Sequence, residues 1–99
     1  MTETKTLKVY HIINPPTTDN PTYYGVYNIE GAVRMIRTLV QKDLKDPRIE
    51  MNIFGLEEYN PLSVVGMEWE EWYDEGGFDI QQIMDGESDY YDENGIERS

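Results

Sequence analysis

Polar and apolar residues alternate along residues 7–13: Leu7, Val9, His11 and Ile13 point one way, Lys8, Tyr10 and Ile12 the other. A period of two, rich in β-branched and aromatic residues, predicts a strand. Residues 14–22, NPPTTDNPT, break the pattern. Three prolines remove donors and hold their predecessors extended, while Asp19 and Asn20 favour turns. The stretch reads as a connector, with a binding loop as its other reading. Residues 23–28, YYGVYN, then predict a second strand pairing antiparallel with the first.

From residue 29 the period changes. Ile29, Val33, Ile36 and Val40, with Ala32, Leu39 and Leu44, recur at the spacing of an apolar helix stripe. Asn28 is placed to cap this helix, Glu30 sits near its positive end, and Lys42 and Lys45 sit near its negative end. Asp46-Pro47 stops it. Sixteen residues, 29–44, span about 24 Å and have one sheet face to cover.

Alternation returns at 48–55, a third strand with Ile49, Met51 and Ile53 opposed to Glu50, Asn52 and Phe54. After the Asn60-Pro61 turn, 62–72 predicts a fourth strand, with Val65, Met67 and Trp69 inside and Glu68 and Glu70 outside. A helix over 67–74 competes with it. Gly76-Gly77 ends either element, and 78–84 predicts a short helix resting Phe78, Ile83 and Met84 on the core. The fold class is α+β. A small antiparallel sheet, ββαβ(β), carries one amphipathic helix on one face and an acidic C-terminal region.

Ninety-nine residues make a single domain, 1–99, able to bury roughly 65% of its unfolded surface. There is no cysteine, which excludes disulfides and thiolate chemistry. No run approaches the roughly 18 apolar residues of a membrane span, and the N-terminus lacks the order of a signal peptide. A cytoplasmic protein is expected.

Charge changes the picture most. Residues 67–99 hold twelve acids against one base, Arg98, a net −11, whereas 1–66 hold eight acids against seven bases, a net −1. The formal −12 is therefore nearly all local. Adaptation to high salt would spread acids over the whole surface. Nucleic acid and anionic membranes are excluded as direct ligands by repulsion, which leaves basic protein surfaces. The last ten or so residues, rich in charge and turn formers, are expected to be the mobile part.

Catalysis and metal binding find little support. His11 stands in a strand with no nucleophile nearby in sequence and reads as structural. Paired carboxylates hydrolyse glycosides only when a cleft keeps one protonated, and these acids lie among turn residues where water keeps them ionised. Read from Asp85, the calcium-loop pattern is met at Asp85, Glu87 and Asp89, but Tyr90 replaces its glycine and Ile96 its closing glutamate. Neither a phosphate loop nor a metal-ligand spacing is present. No enzyme, cofactor or metal centre is expected, beyond weak adventitious divalent binding.

The polyanion itself remains. On a strand, Glu68 and Glu70 stand about 6.6–6.8 Å apart, comparable to successive phosphates of one DNA strand. On a helix, Glu71 and Glu75 would stand about 6 Å apart. The candidate partner-binding set is Glu68, Glu70, Glu71, Trp72, Tyr73, Asp74, Glu75, Asp79, Asp85, Glu87, Asp89, Tyr90, Tyr91, Asp92 and Glu93. Charge alone binds weakly in salt, and the interleaved aromatics add anchors that accept arginine faces. The alternative is a solvated face with Trp69 and Phe78 in the core. Self-repulsion of this size costs stability that an idle surface would not require.

The stretch EWEEWYDEGGFDIQQI resembles in texture the acidic segments of small phage-encoded inhibitors that imitate DNA, the anti-CRISPR and anti-restriction proteins. The resemblance is compositional, covers about a third of the chain, and carries no family residue across. It implies a small cysteine-poor domain that occupies the nucleic-acid groove of a host defence nuclease, in the host cytoplasm. An acidic adaptor that binds a basic protein without mimicry is the alternative. Homodimerisation is left open by the sequence.

Overall fold

The computed structural model describes residues 6–14, 21–47, 51–62 and 66–98. The elements run β1 (Leu7–Asn14), β2 (Thr22–Val26), α1 (Ile29–Leu44), β3 (Met51–Tyr59), β4 (Trp69–Glu71) and α2 (Ile80–Met84). Most of the proline-rich connector, Ile49 at the expected start of the third strand, and Val65 in the expected fourth lie outside the described residues.

The four strands form one antiparallel sheet in the order β2-β1-β3-β4. β1 therefore lies between β2 and β3, and α1 crosses over it to connect them. The helix forms where the stripe and its cap agree. Asn28 Oδ1 accepts the Gly31 N–H at 2.7 Å, and Ile29, Ala32, Val33, Ile36 and Leu39 are buried against the sheet. Val9 and Leu56, directly opposite each other in the β1–β3 ladder, are both fully buried beneath it.

The structure chooses the inward face of β3, which the alternation left open, and reverses the one expected for β4. In β3 the inward residues are Phe54 and Leu56, while Ile53 is 52% exposed on the open face. Around β4 the parity is inverted. Glu58 stands opposite Glu70 and Tyr59 opposite Trp69, which puts Trp69 on the open face and Glu70 on the helix side. The inward anchor is Trp72, buried just beyond the strand, and Met67 is 65% exposed. The alternation was read one residue out of step, and a one-residue shift exchanges the faces. β4 is also far shorter than expected, at three residues, and the competing helix over 67–74 does not form.

The short helix does form, as Ile80–Met84, with a full capping box: Asp79 Oδ1 accepts from Gln82 N at 2.9 Å and Gln82 Oε1 from Asp79 N at 3.0 Å. Ile80 and Ile83 are fully buried beside α1 and β3, so both helices cover one sheet face. Among the described residues no helix covers the other, open face. There Lys8 seats its ammonium 4.3 Å from the Tyr23 ring centroid and 4.1 Å from the Trp69 ring, with Glu57 at 3.7 Å.

Candidate basic-partner interface

The acidic third is a chain of turns, and its carboxylates divide into those that build the turns and those that face outward. Asp74 builds. Its Oδ1 accepts from Gly76 N at 2.8 Å and Phe78 N at 3.0 Å, and its Oδ2 accepts from the Ser88 hydroxyl at 2.5 Å. Burial works to raise this carboxyl. The Ser88 hydroxyl and the N–H groups of Phe78, Gly76 and Gly77 outweigh it and hold the carboxyl below its usual range. Asp79 caps α2. Asp92 Oδ1 accepts from Asn94 N at 2.9 Å and Ile96 N at 3.0 Å. These three spend their charge inside the chain.

Three more acids are tied at the sheet edge, and one of them, Glu70, accepts from Asn60 Nδ2 at 2.8 Å while remaining exposed. Glu71 accepts the Tyr10 hydroxyl at 3.1 and 3.2 Å. Burial raises its carboxyl; the Tyr10 hydrogen bond works against that rise, and the neighbouring charges of Asp79 and Glu57 add to it. Tyr10, itself partly buried beside Glu71, is pushed up to about 12. Glu68 accepts from Gly66 N at 2.9 Å, a backbone bond that lowers its carboxyl.

The β3–β4 ladder also gathers acids that the sequence reading left apart. Glu57 faces Glu71 and Glu58 faces Glu70. Like charges directly opposite on a sheet destabilise it. Glu58 is raised accordingly, by burial first and by Glu70 second. Glu70, Glu75, Asp85, Glu87, Asp89 and Glu93 are exposed.

The segment is nevertheless fastened down. Arg37 on α1 donates to Asn94 Oδ1 at 2.6 Å and to the Glu93 carbonyl at 2.8 Å. Gly95, at φ 80°, presses so close to α1 that an added Cβ would meet the Ile29 carbonyl oxygen at 2.7 Å. Tyr91 pairs with Glu97 in an isolated antiparallel bridge. Arg98, the segment's one base, gives its Nε–H to the carbonyls of Ser88 and Tyr91, both at 3.1 Å. Among the described residues the ion pairs are Lys8–Glu57, His11–Asp43 and Arg34–Glu30, so none neutralises an acid of 67–98.

These turns bring two of the predicted clusters together. Trp72, Tyr73, Asp74, Glu75, Tyr90 and Tyr91 line one hollow of about 190 Å³, completed by Glu97, which the sequence reading did not single out. The Trp72 and Tyr91 rings meet edge to face at 5.9 Å. The Tyr91 hydroxyl is raised by burial and then by the charges of Glu97, Asp74 and Glu75. Glu97 enters through the pairing with Tyr91, for which the sequence carries no periodic signal. Glu68, Glu70, Glu71, Asp79, Asp85, Glu87, Asp89, Asp92 and Glu93 lie outside the hollow.

His11 is buried on the helix side, stacked on Phe54 at 4.6 Å, with Nε2 2.8 Å from Asp43 Oδ2. Asn52 donates to the same oxygen at 2.9 Å. The trio ties β1, β3 and the end of α1 together. Among the described residues no group of three or more His, Cys, Asp or Glu could hold a metal ion, and no helix is long and apolar enough to cross a membrane. Comparison with protein-family models, curated proteins and solved structures gives no match.

Proposed function

We propose that the protein is an acidic inhibitor of the DNA-mimic type. It acts in the cytoplasm, enters the basic nucleic-acid groove of a host defence nuclease, and performs no catalysis itself. One observation carries the reading: the acids of 67–98 are folded onto the body and, among the described residues, no base lies within ion-pair distance of them. Uncompensated like charge costs folding energy, and a positively charged groove would return it. The exposed carboxylates of Glu70, Glu75, Asp85, Glu87, Asp89 and Glu93 are free to take the place of phosphates in such a groove, and the half-exposed aromatics beside them supply apolar anchors.

Capture from native host lysate, with and without duplex DNA, tests the reading. The expected result is retention of a nucleic-acid enzyme that duplex DNA releases. A basic protein that stays bound in excess DNA would make the chain an adaptor instead.

A further inference from the structure

The open sheet face shows how this chain handles a cation. Lys8 lies against the rings of Tyr23 and Trp69 with the Glu57 carboxylate at hand. The hollow between 72–75 and 90–97 offers the same kinds of group: four aromatic rings, Trp72, Tyr73, Tyr90 and Tyr91, with the carboxylates of Glu75 and Glu97. Among the described residues its lining includes no base, and Arg98 beside it gives its Nε–H to two carbonyls.

The walls are fixed from behind. The Ser88 hydroxyl oxygen accepts from Tyr90 N at 3.0 Å and Tyr91 N at 3.2 Å while donating to Asp74. Trp72 N–H bonds the Leu56 carbonyl of the sheet at 2.8 Å. Such a hollow is preorganised, so little ordering entropy opposes an incoming group. At about 190 Å³ it is smaller than the roughly 300–1,000 Å³ of a small-molecule site. It suits one side chain.

We infer that this hollow is the receptor for one arginine side chain of the basic partner, its guanidinium stacked on the aromatic walls and paired with Glu75 and Glu97. A guanidinium is favoured over an ammonium because it is planar, stacks on rings, is weakly hydrated and can engage carboxylates through its fork of donors. The inference rests on the proposed basic partner for its biological role, but its test requires no partner.

The full-length chain carrying Trp69→Phe leaves Trp72 as the sole indole. N-acetyl-argininamide, its lysine counterpart and the neutral isostere N-acetyl-citrullinamide are titrated in turn, followed by Trp72 fluorescence and by amide shifts. Saturable binding of the arginine compound is expected, with shifts centred on Trp72, Tyr90 and Tyr91. It should exceed citrulline binding about five-fold or more. Joint Glu75→Gln and Glu97→Gln should abolish that preference, while joint Glu87→Gln and Asp89→Asn, of equal charge loss outside the hollow, should preserve it.

Equal binding of citrulline, equal loss in both double variants, or no saturation would overturn the assignment. Lysine binding as tightly as arginine would overturn the choice of a guanidinium. Failure here would leave release of the partner by DNA unaffected, and failure of that release would leave the titration unaffected.

Discussion

Ser88 donates its hydroxyl to Asp74 across fourteen positions of sequence, at 2.5 Å, with both residues buried. This bond closes the Gly76-Gly77 excursion and α2 into one unit, and the same hydroxyl oxygen receives the N–H groups of Tyr90 and Tyr91. Ser88→Ala leaves Asp74 and two N–H groups short of a partner, which costs about 1–3 kcal/mol. Urea unfolding measures the loss. Hydrogen exchange should locate it, with faster exchange at Tyr90 and Tyr91 and little change at Val9 or Leu56.

Gly95 and Gly86 both have φ of 80°, but only Gly95 has neighbours where a Cβ would stand, Val33 Cγ2 at 2.8 Å among them. Gly86→Ala should cost about 1–2 kcal/mol for the left-handed backbone alone. Gly95→Ala adds a clash with α1, for about 2–4 kcal/mol in all. The difference between the two midpoints in denaturant isolates the docking of the C-terminal turn on α1.

The helix was legible because stripe, cap and stop all agreed on 29–44, and the structure keeps those bounds. The first strand was equally plain in its alternation. The acidic third was legible as a composition and only partly as a geometry. Asp74 and Glu75 look alike in sequence, yet one is a buried turn-builder and the other an exposed charge. What separates them is Ser88, brought near by the turn and by α2. Trp69 was placed one step out of register because alternation cannot choose between faces when both carry aromatics and acids. Glu97 owes its place to a single bridge with Tyr91.

Stability should pass through a maximum in mild acid. Glu58 and Glu71 are raised in the fold, so the folded state holds their protons more tightly. Stability therefore rises as pH falls from neutral toward the ordinary glutamate value of about 4.3. Asp74 is lowered, so its contribution is present above the ordinary aspartate value of about 3.9 and is lost as pH falls below it. Thermal melts across this range measure the curve, and Glu71→Gln should flatten its upper limb.

Monovalent salt should raise the melting temperature from low ionic strength to physiological and beyond. Opposed pairs such as Glu58 and Glu70 lie well within a Debye length of about 8–10 Å, where added ions relieve repulsion. A melting temperature indifferent to salt would mean that the acidic face carries no net repulsion.

Displacement of labelled duplex DNA from the nuclease that the protein captures bears most directly on the mimic itself. The parent chain should displace the DNA completely and competitively. Joint Glu70→Gln, Glu75→Gln and Glu87→Gln, which spare Asp74 and Glu71, should weaken displacement about ten-fold or more with an unchanged circular dichroism spectrum. A ternary complex in which nuclease, DNA and protein coexist, or a triple variant that competes as well as its parent at physiological salt, would contradict mimicry by this acidic face.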